Sequence, residues 1–156
     1  MPILVDINVL LRRTQSWHPQ SFLADAALSS LLARGESLVV IPQVLYEFWV
    51  VVTRPVANNG LAMSAAVAAE NVRELTELFT VLRDERSVYD LWLKLVTRYQ
   101  VIGKNAHDAR LAAAMIRHGV NRILTFNTRD FARYTEIEAI SPADFDPAAP
   151  GSMASD

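Results

Sequence analysis

Five short apolar runs, separated by longer segments with helical spacing, are the feature that most constrains what this chain can fold into. The runs fall at 3–5, 38–41, 80–82, 122–125 and 137–140. Parallel strands need a crossover between them, usually a helix, and their near-continuous apolar character reflects burial on both faces. The alternation therefore predicts an α/β fold in which helices cover both faces of a central parallel sheet.

The intervening segments predict five helices and a single domain. Helices are expected at 18–33, from 42 onward, at 64–79, at 84–99 and at 107–118. Pro42 suits a first helical position, where its missing N–H is not needed. No repeat or linker precedes residue 142, so we expect one domain over 1–142 and a flexible tail, rich in Pro, Ala and Ser, over 143–156.

Composition excludes several classes of protein. The 156 residues are 51% hydrophobic with a net charge of -2, which is typical of a folded domain and not of a general polyanion binder. Cysteine is absent, so disulfides, thiolate zinc sites and cysteine nucleophiles are excluded. The first residues lack the pattern of a signal peptide, and the apolar run 38–52 is too short to span a bilayer. We therefore expect a cytoplasmic protein.

Four acidic residues lie where the predicted sheet would place a binding site. Asp6 directly follows the first apolar run, and Asp130 lies in the loop after the fourth. Glu47 is on the helix that follows the second run, and Asp108 is in the first turn of the helix at 107–118. Ligands of open parallel sheets bind beyond the carboxyl ends of the strands. We therefore expect the four carboxylates to surround one pocket.

These carboxylates, with the amide oxygens of Asn8 and Asn127, suit a hard cation such as Mg²⁺ or Mn²⁺. Two carboxylates about 4 Å apart repel by roughly 4 kcal/mol at an effective dielectric near 20. A divalent cation would offset this repulsion, and without it at least one acid should keep its proton, with a raised pKa. With the cation, the site could activate water for attack on a phosphodiester.

Each acid also has a structural interpretation. Asp6 would fit a turn after a strand, and Asp108 would fit a helix N-terminus, where the macrodipole favours negative charge. Glu47 would fit the solvated edge of its helix, and Asp130 would fit a helix cap. The hypothesis of a metal site therefore depends on all four acids together.

Basic and aromatic residues are weaker signals. Scattered surface charge is one interpretation of the cations near the acids, and phosphate binding is the other. The cations are Arg12, Arg13, Arg54, Lys104, Arg110 and Arg129. His107 is interpreted as structural rather than as a catalytic base. Trp17, Trp49 and Trp92 are interpreted as core or dimer-interface anchors rather than as base-stacking platforms.

Four segments resemble PIN domains, specifically VapC-type toxins. The order and spacing of these segments match the family over residues 1 to about 142. They are Ile3-Leu4-Val5-Asp6-Ile7-Asn8-Val9-Leu10, Pro42-Gln43-Val44-Leu45-Tyr46-Glu47-Phe48, His107-Asp108-Ala109-Arg110-Leu111-Ala112-Ala113 and Leu124-Thr125-Phe126-Asn127-Thr128-Arg129-Asp130-Phe131.

The resemblance implies a three-layer α/β/α sandwich and an endoribonuclease that depends on Mg²⁺ or Mn²⁺. It also implies a homodimer, with a small cognate antitoxin as inhibitor and RNA as substrate. The family's acids fall on Asp6, Glu47 and Asp108, and its fourth acidic region falls on Asn127 and Asp130.

The match departs from the family at Asn127, where many relatives have aspartate, so the fourth acid is left open between that position and Asp130. The resemblance makes Asp6 and Asp108 the metal ligands, with Glu47 and Asp130 as further candidates. Asn8 and Thr125 match polar positions that support the cluster. Lys104 and Arg129 are candidate substrate contacts beside it.

Three other functions were weighed. A phosphotransferase of the haloacid dehalogenase type needs a second aspartate two residues after the first, and Asn8 stands there. A housekeeping RNA-processing PIN nuclease and a non-catalytic PIN-like scaffold that binds RNA remain as alternatives. Loss of RNA cleavage on mutation of Asp6 would separate an enzyme from a scaffold.

Overall fold

The computed structural model describes residues 1–148 and contains a parallel sheet. Its strands are β1 (Pro2–Val5), β2 (Ser37–Val40), β3 (Thr80–Val81), β4 (Arg122–Leu124) and β5 (Glu138–Ile140). They lie in the order β3-β2-β1-β4-β5, and every neighbouring pair is parallel. The predicted central parallel sheet is confirmed.

Six α-helices flank the sheet in the described part of the chain. They are α1 (Ile7–Thr14), α2 (Ser21–Ala33), α3 (Pro42–Thr53), α4 (Ala65–Leu78), α5 (Ser87–Arg98) and α6 (Asn105–His118). Helix α1 packs on α2 and α3, and α3 packs on α4, whereas α5 packs on α6. Right-handed crossovers place the first four helices on one face and the last two on the other. This is the predicted α/β/α sandwich.

The order of the strands reverses direction between β1 and β4. The chain moves outward from β1 through β2 to β3, then returns through α5 and α6 to β4 on the other side of β1. Such a switch point leaves a crevice at the carboxyl ends of the two central strands. Asp6 and Thr125 are the residues that immediately follow these strands.

Helix α1 was not predicted from the sequence, and α2 begins later than predicted. The Asp6 carboxylate accepts from the backbone N–H of Ile7, so it caps a helix at once instead of making only a turn. Helix α2 begins at Ser21 rather than at residue 18. Pro19 accounts for the delay, because the residue before a proline is disfavoured in helical conformation.

The core is one apolar cluster that spans the sheet and both helix layers. Ile3, Leu4, Val5, Ile123 and Leu124 on the two central strands are fully buried. No helix among residues 1–148 is long and apolar enough to cross a membrane.

The C-terminal part of the described chain is also packed. A short 3-10 helix, Pro142–Phe145, packs against α2, and the guanidinium carbon of Arg34 lies 5.2 Å from the centre of the Phe145 ring. The start of the predicted tail, 143–145, therefore lies against the domain. The predicted flexibility of the tail at 149–156 concerns residues outside those that the structure describes.

Candidate active site

Asp6 is a buried carboxylate at the switch point of the sheet. Its side chain is 5% exposed, because it follows β1 directly and opens α1. Oδ1 accepts from the backbone N–H of Ile7 at 2.7 Å, and Oδ2 accepts from the Thr125 hydroxyl at 2.8 Å. Each carboxylate oxygen can accept more than one bond, so these contacts orient Asp6 without using all its lone pairs.

Thr125 and Asn8 hold Asp6 from opposite sides of the switch point. The Thr125 oxygen accepts from the Asn8 side-chain amide at 3.1 Å and from the backbone N–H of Asn127 at 3.0 Å. The Asn8 side-chain oxygen accepts from the backbone N–H of Phe126 at 3.1 Å. Asn8 also lies 3.4 Å from Asp6 Oδ2, and its amide can donate there. This network ties the start of α1 to the loop after β4.

Glu47 is held by a glutamine that the sequence analysis did not single out. The amide nitrogen of Gln43, one turn earlier on α3, donates to Glu47 Oε1 at 3.1 Å and to the carbonyl of His107 at 3.0 Å. The amide oxygen of Gln43 accepts from Arg110 at 2.9 Å, and Arg110 also donates to Asp84 at 3.1 Å. Gln43 is 7% exposed, so it forms a buried bridge from α3 to α6.

Asp108 and Asp130 are the other two predicted acids, and Asp130 lines a different cavity from the one that Glu47 lines. Asp108 lies half-buried in the first turn of α6. Its carboxylate accepts no hydrogen bond from residues 1–148, which leaves its lone pairs available. Asp130 lies in the first turn of a 3-10 helix, Thr128–Phe131, where the sequence analysis expected a loop. Asn127 precedes that turn and is exposed.

The charges of these acids act on one another. Burial raises the pKa of Asp6 to about 6, against the lowering effect of its bonds from Thr125 and Ile7, and the charges of Glu47 and Asp130 add to the rise. Burial likewise raises the pKa of Asp108 to about 6, helped by the charges of Asp130, Asp6 and Glu47. The prediction that at least one acid has a raised pKa is confirmed.

The donor set fits a hard divalent cation of the kind that binds few protein groups directly. Among the residues that the structure describes, no three His, Cys, Asp or Glu side chains are grouped closely enough to hold a metal ion together. Mg²⁺ is usually bound by one or two carboxylates plus water and substrate phosphate rather than by a cage of protein ligands. The negative charges of Asp6 and Asp108 repel each other, so a cation would stabilise them, and both carboxylates have lone pairs free to bind it.

The predicted basic residues divide into two groups. Arg110 is paired with Asp84, so part of its charge is neutralised. Lys104 at the start of α6 and Arg129 beside Asp130 are exposed. Arg129, Asn127 and Asp130 line a cavity of about 360 Å³. A phosphate bound in this cavity would lie close to the guanidinium of Arg129 and to the carboxylate of Asp130.

Gln43 and Asp84 are the residues of this site that the sequence analysis missed. The signal for Gln43 was its place one helical turn before Glu47, because residues four apart lie on the same face of a helix. No local pattern linked it to Arg110, 67 positions away.

A family model for the PIN domain matches residues 3–137 of the chain. The chain belongs to the PIN-domain family. The match spans β1 to the end of the segment before β5, and so includes all four acids. No curated protein sequence matches the chain.

Solved structures with the same fold include components of toxin–antitoxin complexes. VapBC2 from Rickettsia felis, bound to a DNA fragment from its promoter, has a TM-score of 0.68 at 16% identity and covers 90% of this chain and 98% of its own. VapBC-1 from nontypeable Haemophilus influenzae has a TM-score of 0.69 at 14% identity, and the likeness covers 92% of this chain and 99% of that one.

A third similar structure is VapC20 from Mycobacterium tuberculosis, described as a toxin that cleaves the sarcin-ricin loop. Its TM-score is 0.56 at 18% identity, and the likeness covers 78% of this chain and 86% of that one. At such identities the likeness is one of fold. The chain thus has the PIN fold over nearly the whole length of the VapC-type structures.

Proposed function

We propose that this PIN domain is an endoribonuclease that depends on Mg²⁺ or Mn²⁺ and acts as the toxin of a toxin–antitoxin pair. The observation that carries the proposal is the buried Asp6 at the switch point of the sheet, whose pKa, like that of Asp108, is raised by burial and then by the charges of neighbouring acids. Buried like charges are unfavourable unless something compensates them, and perturbed acids in a crevice are typical of functional sites.

In this proposal Asp6 and Asp108 would hold the cation, and the charges of Glu47 and Asp130 would add to its attraction. When bound, a divalent cation lowers the pKa of a water molecule and neutralises charge on the phosphodiester. Thr125 and Asn8 hold Asp6 in place, and Gln43 holds Glu47. Lys104 and Arg129 contact the phosphates on either side.

The proposed reaction is hydrolysis. A water oxygen forms a bond to phosphorus as the bond from phosphorus to the leaving ribose oxygen breaks. The proton of the water passes to a carboxylate of the cluster, and the leaving oxygen takes up a proton from solvent. No nucleophilic side chain is needed, which agrees with the absence of cysteine from the chain.

The toxin assignment is supported by similar structures that are toxin–antitoxin complexes, among them VapBC2 and VapBC-1. We propose that this chain likewise acts in the cytoplasm, pairs with a second copy of itself and is inhibited by a small antitoxin. A housekeeping nuclease would share the acids and the metal, so growth arrest on expression, relieved by a neighbouring small gene, distinguishes the two.

Cleavage of RNA tests the activity. The purified chain should cut single-stranded or looped RNA with Mg²⁺ or Mn²⁺ and should stop when EDTA is added. Asp6→Asn should remove cleavage while the chain stays folded by circular dichroism, because the change deletes a metal ligand but keeps a hydrogen-bond acceptor. Asp25→Asn, on the exposed surface of α2, is the control. Cleavage in EDTA, or by Asp6→Asn at the parent's rate, would contradict the proposal.

A further inference from the structure

A cavity of about 600 Å³ lies between α1, the loop before α2 and the end of α3. Arg12, Trp17, His18 and Arg54 are among the residues that line it, and we call it the arginine groove. Arg54 also lines a second cavity, of about 380 Å³, together with Tyr46, Glu47 and Val50.

The charge of the groove is positive because its two arginines are held by neutral groups. Arg12 donates to the side-chain oxygen of Gln15 at 2.7 Å and to that of Gln20 at 3.1 Å. Arg54 donates to the carbonyl of Asn59 at 3.3 Å, and its Nε is buried without a partner in the described part of the chain.

Five of the other arginines in the described chain are paired with acids. Carboxylates lie within ion-pair distance of Arg73, Arg98, Arg110, Arg117 and Arg122. No acid lines the larger cavity among residues 1–148. The groove therefore carries uncompensated positive charge, although the net charge of the chain is -2.

His18 is one of the residues that line the groove. Its pKa is lowered, first by desolvation and then by the positive charge of Arg12. Its Nδ1 accepts from the backbone N–H of Gln20 at 3.0 Å, so this nitrogen is engaged within the chain. The two arginines are thus the groups of the groove that remain to attract an anion.

Trp17 gives the groove an aromatic wall. It was predicted to be a core or dimer-interface anchor, but 71% of it is exposed, so it is not part of the core. Exposed aromatic rings beside a cationic groove are the surfaces on which bases of single-stranded nucleic acids stack. Arginine side chains hold the phosphates of such strands and make binding depend on salt.

We propose that the arginine groove binds a single-stranded segment of the RNA substrate, with phosphates on Arg12 and Arg54 and a base on Trp17. The inference rests on the proposed function and extends it, since it assigns a place where the strand contacts the protein outside the acids. Arg54 lines both this groove and the cavity that contains Glu47.

Binding is tested without cleavage by adding EDTA and titrating the full chain into a fluorescein-labelled single-stranded RNA of mixed sequence. The double variant Arg12→Gln/Arg54→Gln should bind about tenfold or more weakly, and the slope of log affinity against log salt should fall by about 1 to 2. The control Arg73→Gln/Arg98→Gln removes the same charge from exposed ion pairs and should bind within about twofold of the parent. Arg12→Gln alone should show part of the loss in RNA affinity. This single variant tests the groove even if the half-buried Arg54 is needed for folding.

Stacking is tested separately with Trp17→Ala and Trp17→Phe. The alanine variant should bind RNA about tenfold more weakly, and the phenylalanine variant should keep most of the affinity. Equal affinity in the parent and all groove variants, or an equal loss in the control pair, would overturn the proposal. So would groove variants that change the sedimentation of the chain but not its RNA affinity, because the groove would then contact another protein chain.

The chemistry at the acids is followed with a small phosphodiester, bis(p-nitrophenyl) phosphate, in Mn²⁺. It lacks a strand to fill the groove, so its hydrolysis by the parent, and the loss of that hydrolysis in Asp6→Asn, report on the acids alone. If the parent hydrolyses neither this ester nor RNA, the proposed function fails, whereas the binding assay in EDTA still decides the groove. If the parent chain does not bind the RNA at all, the proposal that the groove binds RNA is overturned.

Discussion

The Thr125 hydroxyl donates a 2.8 Å hydrogen bond to Oδ2 of Asp6 and thereby joins the ends of the two central strands. The same oxygen accepts from Asn8 and from the backbone of Asn127, so one hydroxyl organises three segments. Thr125 is fully buried, and none of these bonds can be replaced by bulk water without rearrangement.

Replacing Thr125 should therefore reduce both stability and cleavage. We expect Thr125→Val to lower the free energy of unfolding by about 1–3 kcal/mol, because two donors and one acceptor lose a buried partner. Thr125→Ser keeps the hydroxyl and should retain most of the activity. Urea unfolding and RNA cleavage measure the two effects, and a serine variant as damaged as the valine variant would contradict this role.

The stability of the metal-free chain should fall as the pH rises from about 4 to about 7. The pKa of Asp6 is about 6 in the folded chain and 3.8 without its surroundings, so the folded state binds more protons between these values. The stabilisation is present below pH 3.8 and is lost through pH 6. A shift of about two units corresponds to roughly 3 kcal/mol as an upper figure for this buried group.

Asp6→Asn removes the part of this dependence that comes from residue 6, while Asp108, whose pKa is also raised to about 6, keeps its own part. In EDTA at pH 8 the variant should be as stable as the parent or up to about 2 kcal/mol more stable, because no charge is buried at residue 6. Urea unfolding in EDTA at several pH values measures the effect, with Asp25→Asn as the control. A parent whose stability rises between pH 4 and 7 while Asp6→Asn stays level would contradict the assigned sign.

Gln43 should act on cleavage through Glu47. We expect Gln43→Leu to lower the maximal rate about tenfold or more with little change in KM, because Glu47 loses its donor and Arg110 loses an acceptor. Gln43→Asn, a shorter amide, is the matched variant. Steady-state kinetics on RNA with excess Mg²⁺ measures the loss, and an unchanged rate in a folded Gln43→Leu variant would remove Gln43 from the site.

How much of this site the sequence could predict depends on how far apart along the chain the interacting residues lie. Asp6 and Asp108 were found because an apolar run and a helix start are local patterns, and both lie where those patterns end. The Gln43–Arg110 bridge was not found, because it joins positions 67 apart. Helix α1 was missed because its eight residues give few turns over which helical spacing can be recognised.

Self-association should involve the exposed apolar strip on α3. Tyr46, Trp49 and Val50 are 65%, 37% and 56% exposed and lie on one face of the helix. We expect a twofold homodimer by analytical ultracentrifugation, since a self-complementary patch is the usual basis of such dimers. Val50→Asp should dissociate it, and Val67→Asp on α4 should not. A parent that sediments as a monomer at micromolar concentration would contradict the expectation.

Binding of Mn²⁺ tests the central claim, that Asp6 and Asp108 hold a divalent cation, without reference to any substrate. Electron paramagnetic resonance of free Mn²⁺, titrated with the chain at pH 7.5, counts the bound ions directly. The account predicts saturable binding that weakens about tenfold or more in Asp6→Asn and in Asp108→Asn and is unchanged in Asp25→Asn. No binding by the parent, or equal binding by all four proteins, would contradict it.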